Sequence, residues 1–146
     1  MATYRRRLHL KYTAAQLFDL VADVERYPEF IPWMVTSRVR RRTDQNIWTD
    51  LTIGTGPIRK RFSTVATLDR PHKISIVSHD PLFERFEQKW TFEDLPEGGT
   101  NVEYHVEFRF KSFLLQALMD LSFADRAAAI VSAYTRRARR LYGTPP

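Results

Sequence analysis

The run Phe86-Glu87-Gln88-Lys89-Trp90-Thr91-Phe92-Glu93 and its continuation Val102-Glu103-Tyr104-His105-Val106-Glu107-Phe108-Arg109-Phe110 decide the fold class. Both runs alternate with a period of two, the spacing of a strand whose side chains point to opposite faces. Phe86, Gln88, Trp90 and Phe92 share one face, against Glu87, Lys89, Thr91 and Glu93. Val102, Tyr104, Val106, Phe108 and Phe110 likewise oppose Glu103, His105, Glu107 and Arg109. Pro96-Glu97-Gly98-Gly99 between the runs is a hairpin turn. A sheet with one aromatic face and one charged face is antiparallel, covered on one side and wet on the other.

The cover lies downstream. Ser112 reads as an N-cap, and helix-forming sequence runs on to Tyr142, where Gly143 and Pro145 stop it. Ser122 with Asp125 forms a second cap, so a break is expected near Asp120–Ser122. Past the break, Phe123, Ala127, Ile130, Tyr134, Ala138 and Leu141 recur at helical spacing and are expected to face the sheet. A helix from Ser122 to Tyr142 would be about 30 Å long, enough to cross several strands.

Upstream, Tyr4, Arg6, Leu8 and Leu10 alternate with Arg5, Arg7, His9 and Lys11, which predicts a strand over residues 4–12. Thr13 opens a helix, with Gln16 placed for a capping box and Tyr12 and Leu17 for a hydrophobic staple. Leu17, Phe18, Val21 and Ala22 form its buried stripe. Pro28 is expected to stop it near Arg26. Tyr27-Pro28-Glu29-Phe30-Ile31-Pro32-Trp33 reads as an irregular connection packed by its own rings, because two prolines exclude a central strand. From Met34 to Phe110 the chain predicts about six strands. Breaks fall at Asp44-Gln45-Asn46, Gly54-Thr55-Gly56-Pro57, Asp69-Arg70-Pro71-His72 and Asp80-Pro81. The order of elements is α+β, read as one domain over residues 1–146.

Composition agrees with one packed unit. The chain has 146 residues, of which 43% are hydrophobic, so a core can form. No uncharged apolar run reaches the roughly 18 residues of a membrane span. The opening Met1–Arg7 lacks the apolar run of a signal peptide. Without cysteine there are no disulfides, thiolate metal sites or cysteine nucleophile, and a reducing cytoplasm is the expected setting. The net charge of +6 suits an anionic partner, either nucleic acid or an acidic membrane surface, but also serves plain solubility. Basic residues cluster at Arg5–Arg7, Arg38–Arg42, Arg59–Arg61 and Arg136–Arg140. Each alone reads as a solvated face.

No catalytic or metal-binding set stands out. His9, His72, His79 and His105 lack the spacing of metal ligands. Gly54-Thr55-Gly56 lacks the Gly-Lys-Ser/Thr of a phosphate loop, and no Gly-x-Ser-x-Gly occurs. Asp23, Glu25 and Glu29 read as a solvated helix end rather than an acid/base pair. Two features remain. The aromatic inner face is either a tight core or a cavity lined by Phe62, Phe86, Trp90 and Phe108, within which a buried Gln88 needs a partner. Phe113-Leu114-Leu115-Gln116-Ala117-Leu118-Met119-Asp120-Leu121 is apolar around nearly the whole helix, although covering a sheet needs one stripe. The surplus must meet a ligand, a lipid surface or a second copy of the chain.

The segment from Tyr12 to Trp33 resembles the opening helix and Tyr-Pro-x-Phe-x-Pro signature of the Coq10 / polyketide-cyclase-like branch of the START superfamily. Weaker matches are Phe62, the stretch from Pro81-Leu82-Phe83 to Trp90-Thr91-Phe92, and Phe108-Arg109-Phe110-Lys111-Ser112. Phe86-Glu87-Gln88 departs from the pattern, being heavier than the family's small residues there. The resemblance implies a helix-grip fold: a seven-stranded curved antiparallel sheet wrapped around a long C-terminal helix, short helices after the first strand, and a cavity between. It further implies non-catalytic binding of ubiquinone or another polyprenyl quinone, as a carrier or chaperone supporting respiration. A related bacterial branch is a toxin that interferes with ribosomal subunit association, and polyketide aromatases share the fold. On this resemblance Phe30, Trp33, Phe62, Phe86, Gln88, Trp90, Phe108, Leu118, Phe123 and Ile130 line the ligand site. Leu82, Phe83, Phe113, Leu114 and Leu121 form a lid that rests on a membrane. The expected partners are a polyprenyl quinone and the anionic inner face of a bacterial inner membrane, or the ribosome, for a monomer or weak dimer. A cyclase would need a proton-transfer group inside the cavity, which Gln88 cannot be.

Overall fold

A computed structural model describes residues 2–55 and 57–144. Gly56 of the turn and Pro145 after the last helix lie outside the described residues. Seven strands form one sheet: β1 (Ala2–Leu10), β2 (Met34–Arg42), β3 (Asn46–Thr55), β4 (Ile58–Asp69), β5 (Lys73–Val77), β6 (Phe83–Asp94) and β7 (Thr100–Phe110). Their order is β1-β7-β6-β5-β4-β3-β2, and every pair is antiparallel. α1 (Ala14–Ala22) and a 3-10 turn (Val24–Glu29) follow β1. α2 (Phe113–Asp120) and α3 (Phe123–Tyr142) follow β7. The helix-grip arrangement expected from the sequence is the arrangement found.

Local chemistry explains the elements. The capping box forms, with the Gln16 N–H donating to Thr13 Oγ1 at 3.1 Å and the Thr13 N–H donating to Gln16 Oε1 at 3.0 Å. Leu17, Phe18, Leu20 and Val21 are buried, while Ala22 is only half-buried. α1 ends at Ala22, short of the expected Arg26, because Asp23 leaves helical geometry at φ −81°, ψ 62°. The chain then tightens into the 3-10 turn, which accommodates Pro28. That turn buries Tyr27 and lets its hydroxyl donate to the Val21 carbonyl. β1 stops at Leu10 rather than Tyr12, because Tyr12 leaves the sheet, becomes buried and donates to the Gly143 carbonyl at 2.9 Å.

The β6–β7 turn needs its glycines. Gly98 and Gly99 have φ of 102° and 81°, the left-handed region that favours glycine. A Cβ on Gly99 would also stand 2.8 Å from the Leu10 carbonyl oxygen. Ser112 caps α2, accepting from the Leu115 N–H at 3.2 Å.

The break between α2 and α3 falls where expected, but its second cap does not form. Ser122 makes no side-chain cap bond; its hydroxyl instead accepts from Arg126 Nε at 3.1 Å. α3 buries Ala127, Val131, Ala133, Tyr134 and Ala138. Leu141 is 48% exposed, contrary to expectation. The last turn docks through Tyr142 instead, whose hydroxyl donates to the Gln16 carbonyl at 3.0 Å and whose ring lies 6.1 Å from Tyr12.

Candidate functional site

α3 does not lie on the sheet evenly. Toward its C-terminal half, Ala138 is fully buried and the Tyr134 ring wedges against Trp90 (4.9 Å), Phe30 (5.4 Å) and Tyr27 (5.9 Å). Toward its N-terminal half a cavity of about 380 Å³ separates helices from sheet. This size falls within the range of small-molecule sites. Its wall combines sheet aromatics with Leu118 of α2 and Phe123 and Ile130 of α3. The rings pack on one another around the cavity: Phe83 stacks on Phe110 at 5.0 Å, while Phe62 meets Phe83 edge to face at 5.0 Å and Phe108 meets Phe123 edge to face at 5.1 Å.

Of the residues expected at a ligand site, Trp33, Phe62, Phe86, Gln88, Phe108, Leu118, Phe123 and Ile130 stand in this wall. Phe30 and Trp90 do not. Phe30 belongs to the aromatic junction with Tyr27 and Tyr134, under the Arg137 guanidinium. Trp90 is on the inner face, but at the end where α3 is seated, packed on Tyr104 at 4.4 Å and on Phe92. Alternation assigns a residue to a face and says nothing of which end the helix closes. Phe83 is corrected from lid to wall, being 6% exposed. The cause is a bulge in β6: the register slips between Phe83 and Arg85, so Phe83 and Phe86, three residues apart, both point inward. Leu82 is half-buried against the core. Phe113, Leu114 and Leu121 stand out in solvent at 89%, 68% and 85% exposure.

Gln88 has its partner within the protein. Its Nε2 donates to the Tyr104 hydroxyl at 3.0 Å, and its Oε1 accepts from Trp90 Nε1 at 3.4 Å. Tyr27, Tyr104 and Tyr134 also line the cavity. Burial pushes all three phenols far above the ordinary tyrosine range, in Tyr104 against the hydrogen bond from Gln88. These tyrosines, with Lys60 and Arg126, escaped the sequence reading of the site. Tyr104 and Tyr134 already stood at inward positions. Lys60 shares the face of Phe62 two residues on, yet read as part of the basic Arg59–Arg61 cluster. Among the described wall residues there is no carboxylate and no imidazole to take a proton. No described helix is long and apolar enough to cross a membrane.

The outer sheet face divides by charge. On β6 and β7 cations are matched, Arg85 with Glu87 and Glu107, Lys89 with Glu87 and Arg109 with Glu84, and on β1 Arg7 pairs with Glu103. On β2–β4, register places Arg38 and Ser63 beside Asp50, and Arg41 beside Trp48. The Asp50 carboxylate accepts from Arg40 at 3.0 Å, Arg61 at 2.9 Å and the Ser63 hydroxyl at 2.8 Å. Burial opposes ionisation of Asp50, but the bonds from Ser63 and Arg61 and the charge of Arg40 outweigh it and hold its carboxyl below the usual range. Arg41 lies 4.8 Å over the Trp48 ring. Two basic clusters that the sequence leaves separate, Arg38–Arg42 and Arg59–Arg61, therefore share one half of the sheet.

A family model described as polyketide cyclase / dehydrase and lipid transport matches residues 10–135. The chain belongs to this family. It is 33% identical to the ribosome association toxin RatA of Pseudomonas aeruginosa, over 98% of this chain and 100% of that protein. It is 29% identical to the mitochondrial coenzyme Q-binding protein COQ10 homolog B of Xenopus laevis, over 92% of this chain and 57% of that protein. The crystal structure of the Zhui aromatase/cyclase from a Streptomyces species superposes with a TM-score of 0.81 at 13% identity, covering 96% of this chain and 95% of that one. At that identity the likeness is one of fold. The Coq10 / polyketide-cyclase-like resemblance carried by Tyr12 to Trp33 is thereby borne out.

The buried phenols set a pH dependence. Unfolded tyrosines lose their protons near pH 10, whereas Tyr27, Tyr104 and Tyr134 keep theirs while the protein is folded. The unfolded state then binds fewer protons, so stability should fall as pH rises past about 10. Urea midpoints between pH 8 and pH 11 should decline, and Tyr134→Phe should make the decline shallower. A flat profile in the parent protein would contradict the burial of these phenols.

Proposed function

We propose that this chain binds a hydrophobic lipid without transforming it, and that the lipid is ubiquinone or a related polyprenyl quinone carried or held for respiratory electron transport. The observation that carries the reading is the aromatic cavity under α3, bordered by a helix with apolar side chains facing solvent. The family description includes lipid transport, and the frog relative is named for coenzyme Q binding; both support a quinone.

A volume of about 380 Å³ suits a ring and a short length of tail. The rest of a polyprenyl chain leaves along α2, where Phe113, Leu114 and Leu121 dip into a bilayer and complete the apolar path. Basic side chains steer the protein to anionic headgroups at the inner face of the inner membrane, each worth about 1 kcal/mol near such a surface. Catalysis has less support: Lys60 and Arg126 can hold an anion, but the described wall offers no carboxylate or imidazole base for a cyclisation.

Protein purified from a quinone-producing host should release a polyprenyl quinone on solvent extraction, identified by mass spectrometry. A short-tailed quinone added to stripped protein should raise its melting temperature. Ile130→Trp, which puts an indole into the cavity, should weaken both effects. An extract without lipid, together with an unchanged melting temperature, would sink the reading.

A second reading, ribosome association, is favoured by one observation: the basic clusters that gather on β2–β4, and by the name of the Pseudomonas relative. On this reading Arg38, Arg41 and Arg59 meet RNA phosphates and binding weakens steeply with salt. Co-sedimentation with ribosomal subunits at low salt should be lost in Arg38→Glu with Arg59→Glu. Free protein at the top of the gradient at every salt concentration would remove this reading.

A further inference from the structure

We infer that the cavity selects amphiphiles with an anionic oxygen head, held at the β3–β4 end by Lys60 and Arg126; this rests on the reading of the cavity as a lipid site and specifies its head-group chemistry. The described wall carries two formal charges, both positive. They lie at the same end. Lys60 pairs across the hairpin with Ile53, the neighbouring Gly54 N–H donates to the Trp33 carbonyl at 3.0 Å, and the Arg126 guanidinium lies 5.7 Å over the Trp33 ring. Arg126 is held in place by this stacking and by its bond to Ser122.

Lys60 is half-buried on the inward register of β4, two residues from Phe62. No carboxylate among the described residues pairs with it, whereas Arg7, Arg40, Arg42, Arg61, Arg85, Lys89 and Arg109 on the same sheet each have an acidic partner. A lysine on solvent-exposed strand would simply reach out into water. Here two cations share an apolar concavity, whose low-dielectric walls focus their field on whatever enters. A neutral quinone oxygen accepts a hydrogen bond from such donors. A carboxylate or an ionised phenol on the same kind of tail gains a charge-assisted bond, about twice as strong. The cavity thus favours a single-tailed acid, such as a prenylated aromatic acid or a fatty acid, over its neutral counterpart.

The test compares dodecanoate with methyl dodecanoate on delipidated full-length protein, by calorimetry and Trp fluorescence. Dodecanoate should bind at least tenfold more tightly. Lys60→Met and Arg126→Met should each reduce that ratio, and together bring it near one, while the ester's affinity stays within about twofold. Lys60→Glu should reverse the preference; as a single substitution it also guards against a double variant that fails to fold. Equal affinity for acid and ester in the parent protein would overturn the inference and leave the cavity reading standing. Failure of the acid, the ester and a short-tailed quinone alike would overturn both. If the double variant keeps the acid preference but loses binding to phosphatidylglycerol vesicles, the two cations serve a bilayer surface and the inference is wrong.

Discussion

The seat of Tyr134 on Trp90, Tyr27 and Phe30 is the contact on which the rest of the structure depends. It fixes where α3 meets the sheet. Small residues around it, Ala133 and Ala138, let the helix come close to its neighbours. The Tyr12–Tyr142 ring contact and the hydroxyl bonds of both residues tie the same end to α1 and β1. With one end fixed and the helix interrupted after Asp120, the other end bridges a gap rather than closing it. The sheet's own rings meet one another edge to face and do not fill that gap. The cavity is thus a consequence of a tight junction at one end and bulky aromatics packed on one another at the other.

This asymmetry also sorts the chemistry. The polar groups of the tight end are satisfied internally: Tyr27 by the Val21 carbonyl, and Gln88 by Tyr104 and Trp90. They make no demand on a ligand, and their phenols stay neutral. The charged wall residues belong to the hairpin end, next to the surplus apolar surface of α2. A guest would meet a dry aromatic interior, two cations at its edge and an apolar ramp outside. The outer sheet face repeats the lesson with charge alone, since its cations are neutralised on β6 and β7 and concentrated on β2–β4.

Much of this was legible in the sequence, and the failures have definite causes. The inward alternation of Val102 to Phe110 marks β7 residue by residue, because strand geometry is strictly periodic. Thr13 and Gln16 announce α1 because a capping box is local chemistry. Phe83 was misplaced because a bulge shifts the period, and nothing nearby in the chain announces it. Trp90 and Phe30 were misplaced because the sequence tells which face is covered, not how closely each part of it is covered. Leu141 fits the helical stripe, but Tyr142, one residue on, takes the docking place in the last turn and leaves Leu141 turned to solvent. Lys60 was obscured by its neighbours: within Arg59-Lys60-Arg61 the middle residue points the other way.

The central claim is that an apolar guest occupies the space between α3 and the sheet. Its most direct test is an NMR titration of delipidated protein with a short-tailed quinone, following Ile and Leu methyl groups and backbone amides. The account predicts saturable shifts at Ile130, Leu118 and the residues around Phe62 and Phe108, with the β2–β4 outer face unmoved. Shifts confined to that outer face, or none at saturating quinone, would contradict it.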